Sequence, residues 1–152
     1  MRIIKLADAP EHIDTLAKWH HQQWHALNPE QTLAQRMQKM QGYLAADFIP
    51  GTYVAFDGRL LGSAAIVECD MDSRQDLSPW LASVYVDSPY RRQGIGTSLV
   101  RHVVEQARLH GINRLYLFTP DQVAFYQHQG WQILEVAEYM RHQVTIMYID
   151  LV

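Results

Sequence analysis

Hydrophobic residues recur at helical spacing in one segment beyond the middle of the chain. Counted from position 95, they fall at offsets 0, 4, 5, 8, 9 and 12, and Gly111 follows the segment. This spacing places them along one stripe of a helix with 3.6 residues per turn. The pattern predicts an amphipathic helix that packs on a core. Its stripe consists of Ile95, Leu99, Val100, Val103, Val104 and Ala107.

Three other segments carry shorter or weaker helical patterns. Two precede the middle of the chain, over 11–30 and 32–46, and Thr32 and Asn28 are both candidate N-caps of the second. The third covers 121–130, where Asp121 is the predicted N-cap. Four helices are therefore expected in all.

Short runs rich in β-branched and aromatic residues separate these helices. Asp57-Gly58 lies between two such runs and is a strong hairpin signal. The order β-α-α-β-β-β-α-β-α-β-β, without internal repeats or linkers, predicts one mixed α/β domain over 1–152. The predicted strands cover 2–7, two runs within 51–70, 80–87, 113–120, 131–140 and 142–152.

Composition narrows the class of protein. The chain has 152 residues, 48% of them hydrophobic, which suits one domain with a sizeable core. A net charge of -3 argues against a nucleic-acid partner. Cys69 is the one cysteine, and the sequence has neither a signal-peptide pattern nor a run of about 20 apolar residues. We therefore expect a cytoplasmic protein without a membrane partner.

The segment 91–96, Arg-Arg-Gln-Gly-Ile-Gly, joins the strand over 80–87 to the strongest helix. A helix N-terminus has free N–H groups and a partial positive charge, and glycines let an anion approach them. No Lys-Ser/Thr follows, which excludes a Walker A loop, and position 99 is not the third glycine of a dinucleotide fingerprint. The turn predicts a phosphate site. The alternative is a tight turn with surface arginines.

This turn and a second motif make the chain similar to the GNAT superfamily of acetyl-CoA-dependent N-acetyltransferases. The second motif is Phe125-Tyr126 followed by Gly130-Trp131. The resemblance covers nearly the whole chain and implies a mostly antiparallel twisted sheet of about seven strands with about four helices. It also implies that amides of 92–97 hold the pyrophosphate of acetyl-CoA and that the strand before them pairs with the pantetheine arm. The implied cofactor-binding residues are Val84, Tyr85, Val86, Arg91, Arg92, Gln93, Gly94, Ile95, Gly96 and Thr97.

The resemblance also implies catalytic groups. Tyr126 occupies the position of the acid that protonates the leaving thiolate, and a strand amide near Val86 that of the oxyanion donor. A tyrosine pKa of about 10 lies above a thiol pKa of about 8.5, so the phenol can donate. The alternative is that Tyr126 only packs. Thr119 departs from the family pattern, which often has asparagine seven residues before the tyrosine.

Carboxylates cluster between the hairpin and the strand over 80–87. Glu68 is the candidate general base, and Asp70 and Asp72 are candidates for attracting a cationic amine. Mutual repulsion among these acids and Asp76 could raise one pKa into a useful range. A solvated acidic loop is the alternative. His21 and His25 have zinc-compatible spacing but no third partner in sequence, so no metal is predicted.

The chain is thus expected to be an enzyme that transfers an acetyl group to a primary amine by direct attack. The acceptor, a small molecule or a peptide, is left open, and so is the choice between monomer and homodimer. The rival hypothesis is a non-catalytic acyl-CoA-binding domain that senses the cofactor.

Overall fold

A single sheet of seven strands runs through the centre of the structure, a computed structural model that describes residues 1–44 and 47–152. The strands are β1 Arg2–Lys5, β2 Gly51–Phe56, β3 Leu60–Val67, β4 Trp80–Val86, β5 Arg114–Thr119, β6 Gln132–Tyr139 and β7 His142–Asp150. Their order across the sheet is β1-β2-β3-β4-β5-β7-β6. Neighbours are antiparallel except β4 and β5, which are parallel. This confirms the expected mixed α/β architecture.

Four α-helices flank the sheet. They are α1 Ile13–Trp24, α2 Leu33–Gln41, α3 Ile95–Leu109 and α4 Val123–Gln127. The helices α1 and α2 pack on the face of β2 that carries Val54, whereas α3 packs on the face that carries Tyr53 and Ala55. This division follows from the two-residue period of a strand.

The apolar stripe predicted for α3 is the contact between this helix and the sheet. Leu99, Val100, Val103 and Ala107 are fully buried, and Ile95 is nearly so. Each large side chain of this kind contributes about 1.5–3 kcal/mol on burial. Gly111 has φ +78 just beyond the helix, as expected for a residue that ends it.

The ends of the first two predicted helices need adjustment. The first helix ends at Trp24, earlier than expected. Thr32 caps α2 as predicted, because its Oγ1 accepts a 3.1 Å hydrogen bond from the Gln35 N–H, while the Thr32 N–H donates to Gln35 Oε1 at 2.9 Å. That helix ends at Gln41, and the last two predicted residues, 45 and 46, lie outside the described residues.

The predicted N-cap of α4 is wrong. The cap position belongs to Gln122, and among the described residues no side chain caps it. The Thr119 hydroxyl accepts instead from the N–H groups of Asp121 and Gln122, at 3.4 and 2.9 Å. A side chain at the end of β5 thus satisfies the free N–H groups of the turn that precedes α4.

The parallel strands β4 and β5 separate soon after they meet. They share a single register pair, Trp80 with Tyr116. On the other side of β4, the register with β3 shifts between Ser63 and Ala65, opposite Ser83, which has φ +53. A bulge of this kind bends a strand and re-aims its groups. The bend leaves a cleft between β4 and β5.

We predict that Gly62 cannot carry a side chain without disturbing the pairing of β3 with β4. A Cβ at this position would overlap the carbonyl oxygen of Tyr85 and lie 3.2 Å from the Val86 Cα. Gly62→Ala should lower the free energy of unfolding by about 2 kcal/mol, as overpacking does.

Urea denaturation measures this difference. Gly42→Ala is the matched control, because a Cβ there meets nothing within 4 Å and the backbone is right-handed helical. Equal unfolding midpoints for the two variants would show that the strands can adjust.

Candidate active site

The cleft between β4 and β5 widens into a cavity of about 470 Å³. One wall is the inner edge of β4, and the opposite wall is the end of β5 with the turn into α4. The helices α1 and α2 close a third side, and the turn between β6 and β7 reaches the rim. Residues from these elements that bear on the chemistry are His20, Trp24, Arg36, Lys39, Tyr43, Asp70, Ser83, Val84, Asp121, Tyr126 and Tyr139.

The turn before α3 has the geometry of an anion site. Arg92 and Gly94 have φ values of +65 and +83, and Gly94 is the N-cap of a 15-residue helix. In the described part of the chain no side chain caps this helix. Its first N–H groups are therefore available to a ligand, and the helix dipole favours a negative one. These residues fit the pyrophosphate of acetyl-CoA.

The two arginines of the turn differ in the contacts that they make. The Arg91 Nε–H donates to the Val86 carbonyl at 2.8 Å, its Nη2 reaches Gln23 Oε1 at 3.3 Å, and its guanidinium lies 5.5 Å from the Tyr85 ring. Arg91 thus fastens the turn to β4 and α1. Arg92 is exposed and can meet an incoming phosphate.

The other predicted cofactor-binding residues differ in whether their side chains or only their main-chain atoms could reach a ligand. Val84 lines the cavity. Ile95 and Tyr85 are buried, so only their main chains could face a ligand. The contacts predicted for the main chain of Val86 stay a prediction, and its carbonyl already accepts from Arg91. The remaining predicted residues, Gln93, Gly96 and Thr97, lie at the start of α3 or just before it.

A buried hydrogen-bond chain holds the bulge in β4. Ser63 Oγ donates to the Ser83 carbonyl at 3.0 Å, and His20 Nε2 lies 2.8 Å from the same Oγ. Because the Ser63 proton is used on the carbonyl, His20 must donate from Nε2 and carry no proton on Nδ1. Burial, together with the charge of Arg36, lowers the pKa of His20 to about 3, so the ring is neutral.

His20 is the site residue that sequence reasoning missed. Its side chain is 1% exposed, and among residues 1–44 and 47–152 nothing hydrogen-bonds its Nδ1. A polar Ser63 inside an otherwise apolar strand was the available signal, because a buried hydroxyl needs a partner. The rings of His21 and His25 lie 4.7 Å apart between centroids and are tilted by 47°, and in the described residues no group of three or more potential ligands could hold a metal.

Tyr126 borders the cavity from α4. The side chain is buried, and its ring makes edge contacts with Phe125 and Trp131 at centroid distances of 5.0 and 6.0 Å. Burial and then the nearby Asp121 raise the pKa of Tyr126 well above 10. The phenol is therefore protonated at neutral pH and able to donate.

The acidic residues do not act as one cluster. Asp70 lines the cavity, while Glu68 and Asp72 are exposed and Asp76 pairs with Arg74 at 3.0 Å. Burial raises the pKa of Asp70 to about 6, although Lys39 and Arg36 lower it. The cause of this raised pKa is desolvation, whereas the sequence suggested mutual repulsion. The roles of Glu68 and Asp72 stay predictions.

The glycine turn before α3 and the cavity at the split between the parallel strands together form a site with room for a cofactor and a substrate. Residues 13–131 match the model of the acetyltransferase (GNAT) family. The chain belongs to this family. The predicted family and enzyme class, with acetyl-CoA as cofactor, are thereby confirmed.

Relatives of known structure share the fold across the full chain. The ribosomal-protein-alanine N-acetyltransferase of Brucella melitensis has a TM-score of 0.78 at 20% identity, with 99% of each chain covered. The aminoglycoside 6'-N-acetyltransferase of Enterococcus faecium has a TM-score of 0.73 at 19% identity, covering 100% of this chain and 98% of its own. One aminoglycoside 6'-N-acetyltransferase of the same fold was crystallised with coenzyme A.

A curated relative is similar over a shorter region. The amino-acid acetyltransferase of Aeromonas salmonicida (strain A449) is 31% identical over 87 residues. The match covers 57% of this chain and 19% of that protein.

Within the described residues, no helix has the length and apolar character needed to cross a bilayer.

We predict that Gly96→Val weakens CoA binding at least tenfold, or about 1.4 kcal/mol. A Cβ at position 96 would already lie 3.4 Å from Phe125 Cζ and 3.6 Å from Val86 Cγ2. The extra methyl groups of valine must then displace these neighbours or crowd the first N–H groups of α3. Calorimetric titration with CoA measures the affinity.

Gly42→Val is the control, because a Cβ at position 42 meets no described atom within 4 Å and the residue lies at the end of α2, a different element from the turn. Unchanged CoA affinity in a folded Gly96→Val variant would remove the start of α3 from the binding site.

Proposed function

We propose that this protein transfers the acetyl group of acetyl-CoA to a primary amine bound in the cavity between β4 and β5, by direct attack in a ternary complex. The observation that carries the proposal is that one cavity brings together the β4 bulge, Tyr126 and Asp70. Acetyl-CoA supplies the thioester carbonyl that the amine attacks. The residues of the chain supply binding, polarisation and proton transfer.

Binding of the donor rests on the turn before α3. The N–H groups at the start of this helix and the exposed Arg92 hold the pyrophosphate by charge-assisted hydrogen bonds. Beyond the bulge, the main chain of β4 from Val84 to Val86 lies beside the cleft, where its N–H groups can polarise a carbonyl. The His20–Ser63 hydrogen bond keeps this stretch in place.

Proton donation rests on Tyr126. Its phenol is protonated, lies at the cavity wall and makes no side-chain hydrogen bond with another described residue. It can therefore turn its proton toward the leaving sulfur. The departing thiolate then takes this proton and leaves as CoA, and the strongly basic tyrosinate regains a proton from water.

Proton removal from the amine rests on Asp70. This side chain lies in the cavity wall, whereas the predicted base Glu68 is exposed and does not line the cavity. A carboxylate with a pKa of about 6 is ionised at neutral pH yet more basic than an ordinary aspartate. Asp70 takes the proton directly or through a water.

The one cysteine, Cys69, is an exposed free thiol, which favours a reducing compartment such as the cytoplasm.

A thiol-release screen over amines, amino acids and peptides tests the proposed function. Acetyl-CoA with a true acceptor should release free CoA at a rate proportional to enzyme. Tight acetyl-CoA binding with no release against the whole panel would favour a sensor instead.

We predict that Tyr126→Phe lowers kcat by about 10²-fold with the acceptor found by this screen, because the sulfur then lacks its proton donor. The KM for acetyl-CoA should change little. Tyr53→Phe is the control, since Tyr53 is also buried but packs beneath α3, outside the cavity. Full turnover in Tyr126→Phe, with chemistry limiting the rate, would exclude the proposed role.

We also predict that Asp70→Asn lowers kcat and removes the acidic limb of the pH profile, whose midpoint in the unaltered enzyme should lie near pH 6. Glu68→Gln is the comparison. If Glu68→Gln removes the limb and Asp70→Asn does not, the base is the residue predicted from sequence.

The pH dependence of the free energy of unfolding tests the raised pKa of Asp70 independently of activity. A pKa raised in the folded state means that Asp70 favours folding when protonated and loses this contribution as pH rises through about 6. Asp70→Asn should therefore be more stable than the unaltered protein at pH 7–8, on the order of 1–2 kcal/mol, with no gain near pH 4. A destabilised variant at pH 7 would contradict the raised pKa.

A further inference from the structure

Arg36 is a charged side chain in the cavity wall that the mechanism above does not use. It projects from α2, and its guanidinium lies 6.0 Å from the centre of the Trp24 ring. Its Nε is fully buried and has no hydrogen-bond partner within residues 1–44 and 47–152. In the same residues the guanidinium forms no ion pair within 4.0 Å.

Arg36 is half-buried, so part of its guanidinium, including Nε, has lost its hydration. A charged group in this position is stabilised by an anion or by several acceptors that replace the lost water. Burial lowers the pKa of Arg36, and the nearby Tyr43 and Asp70 offset this only in part. Lys39, one turn further along α2, also lines the cavity and adds positive charge. This region of the wall is therefore suited to an anionic group of a ligand.

Other groups in the cavity suit a cation or an N–H donor. His20 Nδ1 is a buried acceptor without a partner in the described residues. Asp70 and Asp121 add carboxylates, with Asp121 close enough to Tyr126 to raise its pKa. An amine that is to be acetylated must lie near Tyr126. The cavity thus offers acceptors to an ammonium group and a forked donor to an anion.

We propose that the acceptor is an amine that also carries a carboxylate, and that the Arg36 guanidinium binds this carboxylate. The planar fork of arginine matches a carboxylate with two parallel hydrogen bonds. A cavity of about 470 Å³ has room for a molecule of amino-acid size beside the thioester. Trp24, Leu27 and Met140 add apolar surface for the rest of such a molecule. This inference rests on the proposed function and specifies the substrate class of the same site.

Matched acceptors test the proposal. Each of a set of amino acids is compared with its α-carboxamide, which keeps the amine and the skeleton but lacks the negative charge. The carboxylate form should have a kcat/KM at least tenfold higher, mainly through KM. Arg36→Gln should remove most of this preference, whereas Arg101→Gln, an exposed arginine on α3 outside the cavity, should keep it.

A binding measurement separates the proposal from a structural role of Arg36. N-acetylated amino acids are added with CoA as unreactive probes. They should raise the melting temperature of the unaltered protein and have little effect on that of Arg36→Gln. Without ligand, Arg36→Gln should melt at the same or a higher temperature, because it removes a half-buried charge that forms no ion pair with another described residue. A lower melting temperature of ligand-free Arg36→Gln would mark a structural residue and overturn the proposal.

The kinetic outcomes also separate this inference from the proposed function. If carboxamides or amines without a carboxylate are acetylated as well as the amino acids or better, the inference fails and the acetyltransferase remains. If an acceptor is found but Arg36→Gln keeps the full preference for the carboxylate, another group binds the anion and the inference again fails. If nothing releases CoA while CoA still binds, the proposed function itself fails.

Discussion

The separation of β4 from β5 is the constraint on which the rest of the site depends. Two parallel strands that share only the pair Trp80 and Tyr116 leave unpaired main chain on both sides of a gap. Such groups are costly when buried without partners, so the gap has to be wet or filled by a ligand. The cavity follows directly from this geometry. Donor and acceptor can enter the gap and meet at its middle.

Keeping the gap open requires polar groups inside an otherwise apolar sheet. Ser83 holds a left-handed φ of +53, which is unfavourable for a residue with a side chain. The hydrogen bonds from His20 through Ser63 to the Ser83 carbonyl offset that cost. They also connect α1, which lines the cavity, to the strand that we propose lies beside the thioester. A change in the position of α1 would therefore reach the reacting centre through this chain.

Local patterns were enough to predict much of this molecule. The stripe of α3, the turn at Gly94 and the N-cap at Thr32 each depend on residues close together in the chain, and the structure contains all three. The hydrogen bond between His20 and Ser63 spans 43 positions, so a local pattern can indicate that Ser63 needs a partner but not that the partner is His20. The cap of α4 was mispredicted for a different reason, because both candidates are close in the chain. Asp121 was the obvious local candidate, but the hydroxyl of Thr119 at the end of β5 is better placed.

The same contrast between local pattern and fold explains why the sequence does not show which charged residues line the cavity. Glu68, Asp70 and Asp72 look alike in sequence, and only the fold shows that Asp70 lies in the wall while the other two face solvent. Arg36 was not singled out, because an arginine on a polar helix usually faces water. Its burial beside Trp24 depends on how α1 and α2 pack together. Within the described residues, Arg36 Nε and His20 Nδ1 have no hydrogen-bond partner, so a ligand can supply one. These two atoms, together with the desolvated carboxylate of Asp70, therefore bear on the acceptor more directly than the family motifs do, since those motifs concern the donor.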